Sequence, residues 1–237
     1  MLVPKNYHAS WDALLTEDRI KQLNRIEQQI GENYNPTNHQ QILRFLTIDI
    51  NKVKVIWLGQ DVYPAEGVAT GRAFEVGGLK SWAQPFRQVS LKNIIRLIHK
   101  NYYGIQQYED IYSYKEISQQ INSGHFQIKP PDQWFESLEN QGVLFLNTSF
   151  TCEIGKANSH KKLWQSFSQQ VLSYISEEHP NIIWFLWGNE ARLAKQFLKQ
   201  GVWIESRHPM MCSNSYEEDF LKSDCFLRTW NTINWLG

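Results

Sequence analysis

Four short apolar runs punctuate the chain, at residues 53–58 (VKVIWL), 143–146 (VLFL), 182–187 (IIWFLW) and 202–204 (VWI). They are strand-sized, rich in β-branched and aromatic residues, and lack the apolar–polar alternation of a sheet with one wet face. Each therefore reads as a strand buried on both sides, as in a parallel sheet. Helix-like stretches lie around and between them, at 17–30, 40–46, 91–100, 161–175 and 190–199, with Ser90 and Asn189 as the expected N-caps of the third and fifth. The alternation predicts an α/β fold: a three-layer α/β/α arrangement with a central four-stranded parallel sheet, in a single domain over 1–237. There is no internal repeat and no low-complexity linker. The Tyr- and Gln-rich stretch 101–126 has no clear period and is expected to be an insertion or long surface loop.

The residues that follow each run are the informative ones. The first runs into Gly59-Gln60-Asp61-Val62-Tyr63-Pro64 and the second into Asn147-Thr148-Ser149; the third meets Gly188-Asn189-Glu190 and the fourth Arg207-His208-Pro209. In an open parallel sheet the carboxyl ends of the strands share one crevice, where ligands bind. An Asp, a Tyr, an Asn and a His that are distant in sequence are thereby expected in one pocket. This places a site without saying what it does.

Composition narrows the partners. Hydrophobic residues make up 42% of the 237 and aromatics 14%, enough for a packed core. Lys+Arg equals Asp+Glu at 24 each, so nucleic acid would have to be held by local patches, backbone amides and helix N-termini rather than by bulk charge. Three cysteines, Cys152, Cys212 and Cys225, are odd in number and lack CxxC spacing, which argues against a disulfide framework or a four-ligand metal site and for reduced thiols. The N-terminus, MLVPKNYHAS, has no signal-peptide core and no apolar run is membrane-sized, so the expectation is a soluble, cytoplasmic chain with no membrane partner.

The same segments resemble the family-1 uracil-DNA glycosylases along essentially the whole chain. Gly59-Gln60-Asp61-Val62-Tyr63-Pro64 is similar to that family's GQDPYH loop, Gly71-Arg72-Ala73-Phe74-Glu75-Val76 to its GLAFSV segment, and Ser90-Leu91-Lys92-Asn93-Ile94 to its SLxNI helix start. Gly142 through Thr148 (GVLFLNT) matches its GVLLLNT strand and Asn158-Ser159-His160 follows as in the family. Leu186-Trp187-Gly188 resembles its LWG turn, and His208-Pro209 opens its HPSPLS loop. Any one match is weak; the ordered set is specific.

The resemblance implies a cofactor-free, metal-independent monofunctional enzyme, expected as a monomer, that flips uracil out of single- or double-stranded DNA and hydrolyses its N-glycosidic bond. A DNA-mimicking inhibitor protein is a further partner it suggests. The chemistry suits the residue types. Bond cleavage develops positive charge on the sugar and negative charge on the leaving base. Asp61 is then the carboxylate that stabilises the cation and orients water, though an Asp in such a turn can also simply cap it. His208 is the neutral imidazole that donates to the uracil O2 oxygen. Asn147 would accept from N3–H and donate to O4, a pattern that cytosine reverses. Phe74 would stack on the ring, Tyr63 would fill the space of a thymine methyl, and the amides near Gln60 would touch the base. Ser90, Ser213 and the segment of Asn158, Ser159 and His160 are candidates for phosphate contacts.

Departures concentrate in two loops. Val62 stands for the family proline and Pro64 for its histidine, a proline tolerated there in viral relatives. In the second loop Met210 replaces a phosphate-contacting serine, and direct counting puts Cys212 where the family has the leucine wedge that enters the base stack, with Met210 or Met211 as the alternative wedge or simply a packing pair; Pro209, Met210, Met211 and Cys212 are the expected DNA-facing residues. The following segment is about two residues longer and carries Glu217, Glu218 and Asp219, an odd sign beside DNA. Two rival functions follow: a non-catalytic DNA-binding or scaffold protein on the same fold, and a glycosylase for another damaged base. The joint presence of Asp61, Tyr63, Phe74, Asn147 and His208 argues against the first, and Asn147 with Tyr63 against the second.

Overall fold

Six strands and seven α-helices make up the regular structure of residues 2–237, the part that the computed structural model describes. Strands β1 (Tyr34–Asn35) and β4 (Cys152–Glu153) form a small antiparallel pair. The main sheet contains β2 (Val55–Gly59), β3 (Val143–Asn147), β5 (Ile183–Trp187) and β6 (Val202–Ser206), all parallel, in the order β3-β2-β5-β6. Register aligns Gly59 with Asn147 and Trp187 with Ser206, so the four carboxyl ends finish on one side.

The strand pleat divides the core in two. Ile56, Leu58, Leu144, Leu146, Trp184 and Leu186 face one layer, where they meet α1 (Glu17–Gln29), α5 (Lys161–Glu178) and α6 (Asn189–Ala194). Val55, Trp57, Val143, Phe145, Phe185 and Trp187 face the other, where they meet α2 (Val89–Tyr103), α3 (Tyr114–Asn122), α4 (Pro131–Gln141) and α7 (Cys225–Thr229). Helices on both faces of a four-stranded parallel sheet are the architecture expected from the pattern of runs. Among the described residues no helix is long and apolar enough to cross a membrane.

Several local expectations are corrected. Residues 40–46 form no α-helix but two 3₁₀ turns, His39–Gln41 and Arg44–Thr47. Ile42, Leu43, Phe45 and Leu46 are all buried while Gln40 is exposed, and the run follows the core surface in short turns. The stretch 190–199 shortens to α6 and a 3₁₀ turn, Lys195–Phe197; Asn189 is its first helical residue, after Gly188 at the cap. Ser90 likewise lies inside α2, whose N-cap is Gln88 and makes no side-chain cap bond.

The largest correction concerns 101–126. It holds the end of α2, a 3₁₀ turn at Tyr108–Asp110 and all of α3, which begins with a capping box between Ser113 and Glu116. Ile117 and Phe126 are fully buried against the α2 layer. The S-x-x-E signal was present in the sequence, masked by the polar composition around it.

Candidate active site

Glycines let the strand ends close on one another. A Cβ on Gly59 would stand 2.3 Å from the Asn147 amide oxygen and 2.8 Å from Ala73 Cβ. Gly188, at φ 89, would place a Cβ 2.8 Å from that of His208. Backbone bonds tie the loops together: Thr148 N donates to Gly59 O and Ser149 N to Gln60 O (both 3.0 Å), while Gly188 N donates to Ser206 O (2.9 Å). The structure thus brings Asp61, Tyr63, Phe74, Asn147 and His208 to the same end of the sheet.

Asp61 is partly buried. Its Oδ1 accepts from Val62 N (3.0 Å) and its Oδ2 from Asn158 N. Burial raises the carboxyl above its ordinary value, and the hydrogen bonds from Asn158, Ser149 and Val62 pull the other way without cancelling it. Asn158, at φ 63, also accepts from the Gln60 side chain (2.8 Å). Expected at phosphate, Asn158 is instead the residue that bridges Gln60 and Asp61. Its signal was the NSH match itself, which carries no hint of the partner.

His208 Nδ1 accepts a hydrogen bond from Met210 N (3.2 Å). A nitrogen that accepts carries no proton, so the neutral ring holds its hydrogen on Nε2. Burial lowers the imidazole pKa and favours that neutral form. The ring lies 6.3 Å from Phe74, which also meets Trp187 (5.5 Å) and Trp57 (6.2 Å). Phe74 has φ 67, a left-handed backbone that costs a bulky residue on the order of 1–3 kcal/mol. The Tyr63 hydroxyl reaches the Phe74 carbonyl at 3.5 Å. Asn147 is 3% exposed, and neither its amide oxygen nor its amide nitrogen has a hydrogen-bond partner in the protein. Such orphans cost about 1–3 kcal/mol each, and among the described residues Asn147 is the one buried side chain with two of them.

The loop after His208 is braced from behind. Pro209 is buried and its carbonyl accepts from Asn93 Nδ2 (2.6 Å). Arg96 Nη1 donates to Asn93 Oδ1 (2.9 Å) and its Nε to Tyr112 O (2.9 Å), at the start of α3's capping turn. Asp219, 1% exposed, accepts from Ser213 N (2.6 Å), Leu221 N (2.9 Å) and the Tyr108 hydroxyl (3.2 Å). Glu218 accepts from Arg207 N through its carbonyl (2.8 Å) and from Arg192 through its carboxylate (2.7 Å). Of the three acidic residues of odd sign beside DNA, Asp219 is turned inward and Glu218, still exposed, is paired with Arg192; the 101–126 stretch supplies two of the braces.

The remaining expected DNA contacts separate. Met210 and Met211 are exposed by 56% and 51%. Cys212 is half-buried, with its thiol on Pro209 O (3.4 Å) and its side chain packed on the α2-side core. Ser90 is in the first turn of α2, next to this loop through Asn93. Ser159 is exposed and its hydroxyl accepts from Glu153 N (2.7 Å). His160 is buried rather than displayed: its Nδ1 pairs with Thr151 Oγ1 (2.9 Å). Ser213 pairs its hydroxyl with Ser215 (2.7 Å). Among the described residues no group of three or more His, Cys, Asp or Glu is placed to hold a metal ion.

The chain matches no protein-family model. It is 30% identical over 211 residues to the uracil-DNA glycosylase of Francisella tularensis subsp. holarctica, covering 84% of this chain and 83% of the relative. It is 29% identical over 242 residues to that of Haemophilus ducreyi, covering 95% and 96%. In fold it is similar to the UNG crystal structure from Nitratifractor salsuginis, at TM-score 0.69 and 21% identity over 96% of this chain and 93% of that one. It is similar also to a variant of mimivirus UNG solved in complex with UGI, at TM-score 0.63 and 21% identity over 86% and 70%.

Proposed function

This chain belongs to the uracil-DNA glycosylase family, and we propose that it does the family's work by the family-1 route. The enzyme is a hydrolase of N-glycosyl bonds that releases uracil from DNA and leaves an abasic site. A uracil flipped into the crevice stacks on Phe74, while Asn147 Oδ1 accepts from N3–H and Nδ2 donates to O4. The observation that carries this reading is the doubly unpaired, buried Asn147 amide, whose donor and acceptor match that edge. Asp61 orients a water toward C1′ and takes its proton as the C1′–N1 bond breaks; the bonding pair leaves on N1. The Nε2–H of His208 donates to O2 of the departing anion, a role that its Nδ1-accepting tautomer fits. Tyr63 occupies the space of a 5-methyl group.

The test is base release from matched oligonucleotides carrying uracil, thymine or cytosine. The wild-type protein should release uracil alone and Tyr63→Ala should begin to release thymine. Release of all three by the wild type, or of none, would place the specificity elsewhere.

Ser90, with the uncapped first turn of α2, and Ser159 and Ser213 are the proposed phosphate neighbours; His160, buried with its Nδ1 on Thr151, is not one of them. The same DNA-facing surface is the one we propose for a DNA-mimicking inhibitor protein.

For the wedge, exposure favours Met210 and Met211 over Cys212, which is turned to the core. Unstacking costs a few kcal/mol in a duplex and little in a single strand. Replacing the inserted methionine by alanine should therefore slow duplex excision by about tenfold, equivalent to about 1.4 kcal/mol, and spare single strands. Cys212→Leu should leave the ratio unchanged. A rise in duplex activity in Cys212→Leu, with no change in either methionine variant, would return the wedge to position 212.

A further inference from the structure

The backbone strain at Phe74 has a visible source of restraint. Glu75, which follows it, and Arg72, two positions before it, are both buried and both charged. Arg72 Nη1 lies 3.0 Å from Glu75 Oε1, its Nε lies 3.0 Å from Glu139 Oε1, and its Nη2 holds Glu139 Oε2. Arg44 Nη2 closes the group at 3.4 Å from the same Glu139 oxygen, so two guanidinium groups face two carboxylates. Glu139 belongs to α4, which is fixed in the core by Trp134, Phe135 and Leu138. The GLAFSV segment that this stretch resembles has a leucine and a serine at these two positions, and here both are replaced by charges that pair with each other.

Buried ion pairs return little net stability, because desolvation offsets their attraction; their best use is to select one arrangement over others. A pair that brackets a single strained residue, and is bolted to a helix 67 positions away, restricts what that residue can do. The restrained residue bears the ring that meets His208 and the carbonyl that meets Tyr63.

We propose that Arg72, with Glu75 and Glu139, is a positioning group that holds Phe74 in its left-handed conformation and so sets the ring for stacking on the flipped base. This rests on Phe74 being the stacking residue. Without the ion pairs, the 71–76 loop relaxes toward an unstrained backbone and the ring leaves its place above the crevice. Arg72 touches neither base nor sugar and acts through Phe74 alone.

A double-mutant cycle tests this, with Arg72→Met, Phe74→Ala and the double variant assayed for kcat and KM on a single-stranded uracil oligonucleotide, and for Tm. Arg72→Met should lower kcat by about tenfold with little change in KM, and in the Phe74→Ala background the same change should cost less than about twofold, because contacting residues couple. Its Tm loss should be the same in both backgrounds, since unpaired buried carboxylates destabilise with or without the ring. Should Arg72→Met not fold, Glu75→Gln, which keeps the volume, should show a smaller kcat loss that also vanishes in the Phe74→Ala background. Full additivity in kcat, or wild-type kcat in a folded Arg72→Met or Glu75→Gln protein, would overturn the positioning role while leaving the stacking assignment standing. Wild-type kcat in Phe74→Ala would overturn both.

Discussion

Asp61→Asn is expected to lower turnover by about 10²–10⁴-fold while largely sparing DNA binding, because it removes the charge and the proton acceptor but not the side-chain volume. The asparagine can still accept one bond from Asn158 N or Val62 N, so the loop should keep its shape. Burial raises the carboxyl pKa, which means that the ionised form needed for catalysis is disfavoured by folding. The folded pKa lies above the unfolded one, so the ionised group costs stability above that range; the Asn variant should therefore melt at the same temperature or higher. The pH dependence follows from the same two groups. Activity needs Asp61 ionised and His208 neutral, and both forms gain as pH rises. Single-turnover rates should therefore fall toward acid and level off once both groups have lost their protons, with the lowered His208 pKa moving its limb to the acid side of an ordinary imidazole. In Asp61→Asn the residual rate should keep only the histidine limb. Wild-type rates in this variant, or a profile that falls toward neutral pH from the acid side, would sink the assignment of Asp61 and His208.

What could be read ahead of the structure was what is local or repeated. Residues 183–187 bury both faces, so the run has no alternation to confuse, and its β-branched and aromatic content marks a strand. Asp61, Asn147 and His208 could be grouped because parallel strands deliver their ends to one edge. Missing were contacts between segments far apart that leave no periodic trace. Arg72 with Glu139, Tyr108 with Asp219 and Asn158 with Asp61 are pairs separated by 67, 111 and 97 positions. Asp219 looked like repulsive surface charge because nothing in the sequence says that it turns inward to meet Ser213 N and Leu221 N. The stretch 101–126 looked like a loop because only Ile117 and Phe126 are fully buried there, too few to set a period, although it braces the His208 loop through Tyr112 and Tyr108.

Asn147→Asp should admit a second base rather than merely weaken the enzyme. The Asn147 side chain is buried and its amide makes no bond within the protein, so neither polar atom is committed to another residue. With asparagine, a donor faces O4 and an acceptor faces N3–H, which fits uracil; cytosine would present a donor to the donor and an acceptor to the acceptor. An aspartate in the same pocket loses water on burial, which raises its pKa and favours the protonated acid. Protonated, it presents one O–H donor and one acceptor oxygen, and it can rotate to give the donor to cytosine N3 and the acceptor to the cytosine amino group. Ionised, it has no donor and sets a negative oxygen against uracil O4. A pocket built to pair a polar edge rejects a mismatched one by about 10⁴–10⁵. The preference for uracil over cytosine should therefore be lost in Asn147→Asp: the acid form can still pair with uracil but now also admits cytosine, whose release should appear and rise toward lower pH as that form gains, until loss of ionised Asp61 limits it. Matched oligonucleotides, assayed for each base across a pH series, read both effects at once. Uracil release at the wild-type rate with no cytosine release would mean that position 147 does not face the base, and that the two unpaired amide atoms serve something else.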